Sequence, residues 1–281
     1  MNTVALFNRA SFRCSQCITG QYSTSFSSAI RLLHPDLREP IHGIYGFVRL
    51  ADEIVDTFHE HDKRRLLDQF EADTWRAIAD GISLNPILQS FQLTVNRYGI
   101  KRDLITAFLA SMRTDLDRHC WEDQDMFKEY IYGSAEVVGL MCLTVFCEGN
   151  AELAESLAGQ ATSLGAAFQK VNFLRDLRDD MEGLRRQYFP HIQATGFDPV
   201  VKAEIEREIA KDFADAYKGI VLLPEKARFG VMIAYRYYLC LFRKIRSLPP
   251  EVLMKQRVRV PNFLKLLLVV KASARNAFSL G

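Results

Sequence analysis

The most informative segment of this chain is Gln169-Lys-Val-Asn172-Phe-Leu-Arg175-Asp176-Leu-Arg-Asp-Asp180. A gap of four residues, as between Asp176 and Asp180, places two side chains one above the other on an α-helix, with Cβ atoms about 5–6 Å apart. The same gap occurs much earlier in the chain, in Asp52-Glu-Ile-Val-Asp56. Like charges at this distance repel each other. The two pairs therefore predict helices that face each other across a bound cation.

The residues around Asp176 predict a helix that is mostly buried. On a helical projection the polar residues of this segment fall in one stripe about 80° wide. The members of this stripe include Gln169, Asn172, Asp176 and Asp180. Apolar residues occupy most of the remaining circumference, which is the inverse of an ordinary surface helix. The segment 40–58 has a similar stripe, which contains Tyr45, Arg49, Asp52 and Asp56.

Two facing carboxylate pairs suit a hard divalent ion. Mg²⁺ takes oxygen ligands and usually binds one or two carboxylates together with a substrate phosphate. The sequence therefore predicts a diphosphate-binding site. Two solvated acidic helix faces are the alternative, but burying unpaired charge among apolar residues is costly.

Hydrophobic periodicity predicts helices from end to end and no strand. The predicted helices cover about 20–33, 40–58, 62–80, 84–97, 101–118, 124–148, 151–183, 199–222, 226–247 and 260–278. Turn residues such as proline and glycine separate these segments. We expect an all-α fold with a single domain over 1–281, whose motif-bearing core covers about 20–247 and whose C-terminal helix covers about 260–278.

Composition excludes several other classes of protein. The net charge of +2 gives no reason to expect nucleic acid as a partner. Cys14-x-x-Cys17 has no second ligand pair at zinc-finger spacing, so the six cysteines are expected to be free thiols. No signal peptide is visible, and the apolar segment 263–270 is far shorter than the ~20 residues that span a bilayer. We expect a cytoplasmic protein and leave open its oligomeric state and peripheral contact with a membrane.

The two acidic segments resemble the signature motifs of the squalene/phytoene synthase family. Gln169 to Asp180, followed by Arg186-Gln-Tyr188-Phe-Pro190, resembles Q-x-x-N-I-L-R-D-x-x-x-D and R-x-Y-x-P. Tyr45 to Asp56 resembles Y-x-F-C-R-x-x-D-D-x-V-D. Three further matches follow the order of the family: Ser25-Phe26 with Leu32-Leu33, Tyr130 to Gly139, and Tyr238 ahead of Lys244-Ile245.

The resemblance implies an isoprenoid (terpenoid) synthase bundle around a central cavity. It also implies Mg²⁺-dependent head-to-head condensation of two polyprenyl diphosphates, with Mn²⁺ as an alternative ion and no nicotinamide. The favoured reaction joins two geranylgeranyl diphosphates to phytoene through prephytoene diphosphate, as in carotenoid biosynthesis, and releases diphosphate. One alternative is a C30 synthase that makes dehydrosqualene or squalene from farnesyl diphosphate. The other is a non-catalytic assembly factor with the same fold.

The resemblance also implies a role for each matching residue. The expected metal ligands are Asp52, Asp56, Asn172, Asp176 and Asp180. The four aspartates are expected to be catalytic together with Tyr45 and Tyr238. The expected substrate-binding residues are Arg49, Arg175, Gln169, Asn172, Ser25, Phe26, Ile30 and Tyr130. The aliphatic Ile30 leaves room for a long prenyl tail and favours C20 over C15 substrates.

Several residues of this sequence differ from the family pattern. Glu53 replaces the second aspartate of the first motif, and Glu136 occupies a position where the family has glycine. A glycine there would permit close helix packing, so Glu136 is expected to point into a cavity, pair with a cation or displace a neighbour. Tyr22 and Thr24 stand where some members have histidine and lysine. The short basic run at Arg257 and Arg259 is expected to form an exposed face.

Overall fold

The computed structural model of this protein describes residues 3–259, except for the side chains of 193–195. Its helices and π-helical turns, in chain order, are α1 (Thr3–Tyr22), α2 (Thr24–Ile30), α3 (Pro35–Asp56), α4 (Lys63–Asp80), α5 (Pro86–Tyr98), α6 (Arg102–Asp117), α7 (Gln124–Ile131), π1 (Tyr132–Glu136), α8 (Val137–Phe146), α9 (Ala151–Asp179), π2 (Asp180–Leu184), α10 (Pro190–Thr195), α11 (Pro199–Ile220), α12 (Glu225–Arg246) and α13 (Pro250–Leu253). Within these residues the only β-type pairing is one isolated bridge, between Cys120 and Gln187. The predicted all-α class is confirmed, and the predicted helix at 260–278 lies outside the described residues.

The N-terminal helix α1 was missed by hydrophobic periodicity. The first predicted helix covers 20–33, but α1 begins at Thr3, and a separate helix starts after Ser23, whose side chain accepts a hydrogen bond from the amide of Phe26. The buried positions of α1 are hydroxyl residues: Ser11, Ser15 and Thr19. Two of these hydroxyls donate to carbonyls one turn earlier, and the third lies 2.6 Å from the Ser90 hydroxyl. Small polar residues with satisfied hydrogen bonds pack α1 on α3 and α5 without an apolar pattern.

The long helix α9 organises the rest of the bundle. It packs against α8, π1, α11 and α12, and its buried residues are almost all apolar. The sequence prediction of a mostly buried helix is therefore confirmed. The predicted single helix at 124–148 instead contains the turn π1 between α7 and α8. A π-helical turn inserts an extra residue into the helix and often occurs at functional sites.

One helical stretch, Gln124–Phe146, is long and apolar enough to cross a membrane, judged by length and composition within the described residues. In this protein the stretch consists of α7, π1 and α8, and it packs against α6 and α9. Val137, Met141 and Val145 lie in the core. In all, 39% of its most apolar window is buried in the described structure.

Close packing between α9 and π1 depends on a glycine in α9. A Cβ atom at Gly165 would lie 2.7 Å from the carbonyl oxygen of Ala135 and 3.0 Å from Cα of Glu136. The family's central glycine is replaced here by Glu136, so the close approach at this level uses the glycine of the facing helix. Gly139 makes a similar approach, since its Cβ would lie 2.9 Å from the carbonyl oxygen of Ala161.

We predict that Gly165→Ala destabilises the protein by about 1–3 kcal/mol, because the new methyl group overlaps the backbone of π1. Gly159→Ala is the matched control on the same helix, since a Cβ atom there meets nothing within 4 Å. That control should be neutral or stabilise by up to about 1 kcal/mol through better helix propensity. Urea unfolding of both variants measures the difference. Equal stability of the two variants would contradict the predicted overlap.

Candidate active site

A cavity of about 560 Å³ lies inside the bundle, and residues of α2, α3, α8, α9, α11 and α12 line it. The lining along α9 changes from Leu157 and Leu164 to Asn172, Asp176 and Arg175. At 1.5 Å per residue, this apolar-to-polar path is about 30 Å long. The cavity therefore has an elongated apolar part and a charged end at the C-terminal ends of α3 and α9.

The charged end contains both predicted aspartate pairs. Asp52 and Asp56 come from the last turns of α3, and Asp176 and Asp180 come from the junction of α9 and π2. The fold thus places the two motifs on one cavity, as the sequence predicts. The described residues include no group of three His, Cys, Asp or Glu side chains arranged to hold a metal ion by themselves.

Arginine side chains contact three of these four carboxylates. Arg186 Nη1 donates to Asp56 Oδ1 at 2.7 Å. Arg175 Nε donates to Asp176 Oδ1 at 2.9 Å, and Arg257 Nε lies 2.7 Å from the same carboxylate oxygen. A further arginine, Arg49, has its Nη1 atom 3.9 Å from Asp52 Oδ2. These arginines compensate part of the carboxylate charge.

This compensation is incomplete at two of the aspartates. Burial, with Asp56 as the next cause, raises the pKa of Asp52 to about 8. The Asp52 side chain is 32% exposed, but the same cavity wall also carries Asp56 and Asp115. The charges of these two carboxylates raise the pKa of Asp52 in the same direction as burial. Burial, followed by Asp176 and Asp56, raises the pKa of Asp180 to about 7. Excess negative charge at this end favours a bound cation.

The predicted aromatic residues form a connected wall. The Phe26 ring lies 5.9 Å from the Tyr45 ring and 5.8 Å from the Tyr238 ring, and Phe168 stacks on Tyr238 at 3.9 Å. The Tyr238 hydroxyl donates to Asn172 Oδ1 at 3.2 Å. Burial raises the pKa of Tyr45 to about 12, so this phenol is neutral at physiological pH.

The remaining predicted site residues divide into two groups. Gln169, Ile30 and Tyr130 line the cavity with the residues already described. Ser25 is not among the lining residues, whereas Ser23, at the start of α2, is. The sequence match to S-F selects Ser25 by position along the chain and carries no information about which side of this short helix faces inward.

Comparison with known proteins identifies the family. The squalene/phytoene synthase family model matches residues 19–263. The chain belongs to this family. It is 25% identical over 257 residues to the 15-cis-phytoene synthase of Paracoccus sp. (strain N81106 / MBIC 01143), covering 85% of this chain and 83% of that protein. It is 30% identical over 214 residues to the presqualene diphosphate synthase of Zymomonas mobilis, covering 74% and 68%.

The fold of this squalene/phytoene synthase family member agrees with solved structures. A dehydrosqualene synthase in complex with ligand superposes with a TM-score of 0.82 at 19% identity, covering 96% of this chain and 98% of that one. The squalene synthase of Alicyclobacillus acidocaldarius gives 0.74 at 20% identity, covering 85% and 94%. The protein is therefore an all-α isoprenoid synthase in fold and a prenyltransferase by family.

Four charged or aromatic residues of the synthase site were missed or misjudged from sequence. Arg186 and Tyr188 belong to the matched R-x-Y-x-P motif and line the cavity. Asp115 also lines it, and its signal is a lone carboxylate on the apolar face of α6, in register with Phe108 and Met112. Arg257 is the fourth, and it lines the cavity as well.

Arg257 and Arg259 are exposed, as the sequence predicts, but Arg257 also belongs to the site, which the sequence did not indicate. Arg257 lines the cavity and pairs with Asp176. The chain after α13 returns across the end of α9, where the amide of Val258 donates to the carbonyl of Arg175 at 3.3 Å. A contact between positions so distant in sequence leaves no periodic pattern.

The two glutamates that depart from the family pattern lie outside the cavity lining. Glu53 accepts a hydrogen bond from Arg49 one helical turn earlier, so its longer side chain holds that arginine. Burial raises the pKa of Glu136 to about 7, while the charge of Lys170 opposes the shift. Lys170 itself pairs with Asp212 at 2.8 Å and with Glu208 at 3.6 Å, so the pairing of Glu136 with a cation stays a prediction.

The raised pKa values predict how stability depends on pH in the metal-free synthase. Between about pH 4 and pH 8 the folded protein holds a proton on Asp52 that the unfolded chain releases, so stability falls as pH rises through this window. Asp52→Asn removes this cost. The free energy of unfolding of the variant, relative to that of the native protein, should therefore be higher at pH 8 than at pH 5.

Urea unfolding in chelator at the two pH values measures this gain. Asp117→Asn, at an exposed position on α6, is the control and should follow the native protein at both values. A stability difference between Asp52→Asn and the native protein that is the same at pH 5 and pH 8 would contradict the raised pKa.

Proposed function

We propose that this protein condenses two polyprenyl diphosphates head to head, and that two geranylgeranyl diphosphates giving phytoene are the favoured reaction. The observation that carries the proposal is the cavity itself, which joins an acidic and arginine-rich end to a long apolar part. A diphosphate group suits the first and a prenyl tail suits the second. Relatives named phytoene synthase and presqualene diphosphate synthase support the same reaction class.

The donor set at the charged end fits Mg²⁺, with Mn²⁺ as the alternative, and nothing in the proposed reaction requires a nicotinamide. Carboxylates with raised pKa values gain from a divalent ion, and oxygen atoms are its preferred ligands. We propose that the ligands are Asp52, Asp56, Asn172, Asp176 and Asp180. Such an ion supplies Lewis-acid stabilisation of the leaving diphosphate.

The arginines and the polar residues of α9 bind and orient the diphosphates in this proposal. Arg49, Arg175 and Arg257 contact carboxylates in the free protein and can turn to diphosphate oxygens, since a guanidinium group binds planar arrays of oxygen atoms through two bonds. Gln169 adds an amide that lines the same end of the cavity. Binding would exchange one set of negative partners for another without leaving an arginine unpaired.

The aromatic wall is proposed to stabilise and shield carbocations. Ring faces attract cations by about 0.5–2 kcal/mol each. Phe26, Tyr45 and Tyr238 line the cavity, and the Tyr238 hydroxyl donates to Asn172 of the second motif, so these rings are close to the charged end. We also propose a cytoplasmic location. Because the product is a hydrocarbon, the proposal includes peripheral contact with a membrane.

The Mg²⁺ assignment predicts different stability effects for two site aspartates. Asp176→Asn and Asp180→Asn should each lower Mg²⁺-dependent diphosphate release from geranylgeranyl diphosphate by at least about 100-fold. In chelator, Asp180→Asn should be neutral or stabilising, because it removes a charge that Asp176 and Asp56 repel. Asp176→Asn should lower the melting temperature, because it weakens the pairing of Arg175 and Arg257.

The control for this pair is Asp179→Asn, which changes an exposed carboxylate on the same helix that does not line the cavity. It should retain both activity and stability. Release of diphosphate and thermal melts, in chelator and in excess Mg²⁺, are measured for all three variants. A fully active Asp180→Asn protein would remove this carboxylate from the ligand set.

Chain length is predicted to depend on Ile30, which lines the cavity and is 4% exposed. A phenylalanine at this position occupies more of the tail space, so Ile30→Phe should shift the product from C40 toward C30 in a mixture of C15 and C20 diphosphates. Ile30→Leu conserves volume and should leave the preference unchanged. Product analysis by chromatography decides the point, and a native protein that makes only C30 product would refute the C20 preference.

A further inference from the structure

A buried carboxylate, Asp115, borders the cavity without belonging to either motif. It lies on the cavity-facing side of α6, and only 4% of its side chain is exposed. Its chain neighbour Asp117, two residues later, is a surface carboxylate that pairs with Arg64. Removing a carboxylate from water costs several kcal/mol unless partners compensate it, so this position calls for a specific reason.

The partners of Asp115 come from two other cavity residues. Tyr130 donates its hydroxyl hydrogen to Asp115 Oδ2 at 3.0 Å. Arg186 Nη2 donates to the backbone carbonyl of Asp115 at 2.9 Å, and its Nη1 atom lies 4.0 Å from Asp115 Oδ1. That Oδ1 atom is buried and accepts no hydrogen bond within the described part of the chain. The same Nη1 atom binds Asp56, so Arg186 connects Asp115 to the first motif.

The hydrogen bond from Tyr130 fixes the direction of its hydroxyl dipole. A phenol has a single hydrogen to donate. While that hydrogen points at Asp115, the phenol oxygen can present only its lone pairs elsewhere, and Tyr130 lines the cavity. A carbocation in the cavity would then meet the negative end of the dipole. Rotation of the hydroxyl would present the positive end instead.

We propose that Asp115 is a positioning residue: it fixes the Tyr130 hydroxyl so that the oxygen lone pairs face the cavity, with Arg186 anchored beside it. The inference rests on the proposed head-to-head condensation, because a carbocation is what gives the direction of the dipole a consequence. A purely structural Asp115 would only offset the buried charge of Arg186. The two roles differ in their dependence on Tyr130.

Asp115→Asn is the informative substitution because it keeps the shape and changes the hydrogen bonding. The amide oxygen is drawn toward the guanidinium of Arg186, which leaves the amide NH₂ facing Tyr130. The phenol oxygen then accepts from the NH₂ group and its hydrogen is free to turn into the cavity. We expect kcat to fall about 10- to 100-fold, a range typical of a lost electrostatic contact, while KM changes by less than about threefold.

The experiment is a double-mutant cycle with geranylgeranyl diphosphate and Mg²⁺, in which diphosphate release is measured for Asp115→Asn, Tyr130→Phe and the double variant. Asp117→Asn is the matched control on α6 and should behave as the native protein. Because Asp115 acts through Tyr130, Asp115→Asn should change kcat by less than about threefold in the Tyr130→Phe background. Thermal melts accompany each variant.

Three results would overturn the inference while the native protein is active. The first is a native kcat in Asp115→Asn, and the second is a native kcat in Tyr130→Phe. The third is a double variant in which the two losses multiply, because Asp115 would then act through Arg186 alone. Native kcat in Tyr130→Phe overturns the inference even where Asp115→Asn fails to fold. A native protein that releases no diphosphate from any prenyl diphosphate would instead overturn the proposed function, and this inference with it.

Discussion

Repulsion among carboxylates in a partly enclosed cavity is the constraint on which this structure depends. Four motif aspartates share one end of the cavity, and burial and mutual repulsion raise the pKa of two of them. Such an arrangement costs folding free energy, because each charge loses water and meets others of the same sign. The fold can hold it only because the surrounding helices are tightly packed and because arginines stand beside the carboxylates.

The arginines have two partners available at different stages of function. Arg175 and Arg257 pair with Asp176 and limit the repulsion. A diphosphate is an equally good partner for a guanidinium group, so substrate can take over these contacts without leaving buried charge unpaired. Glu53, within the first motif but outside the cavity lining, adds a further carboxylate partner for Arg49.

Close backbone contacts give the apolar part of the cavity its rigidity. Gly139 and Gly165 let α8, π1 and α9 approach closely, and the turn π1 sits where Tyr130 and its partner Asp115 meet the cavity. The turn π2 begins at Asp180, the last residue of the second motif. The turn π2 therefore adjoins the charged end, whereas π1 begins two residues after Tyr130 and faces Gly165; at each turn the extra residue re-aims side chains without breaking the helix.

The sequence by itself determined the class of fold, the two facing motifs and the residues that line the charged end of the cavity from those motifs. These features depend on periodicity and on i, i+4 spacing, which are local properties of a helix and so can be read from order along the chain. Membership of the squalene/phytoene synthase family follows from the same ordered motifs.

The tertiary structure alone decided the partners of the charged groups. Arg257 reaches Asp176 from the far end of the chain, Asp115 accepts from Tyr130, and Ser23 rather than Ser25 lines the cavity. Helix α1 is another feature that only the tertiary structure showed, because its hydroxyl-lined face packs through small residues that hydropathy does not mark. Each of these features is a contact between separate helices or a choice of which side of a helix faces inward. The packed bundle sets such contacts, since no local pattern records which distant side chain will satisfy a buried charge.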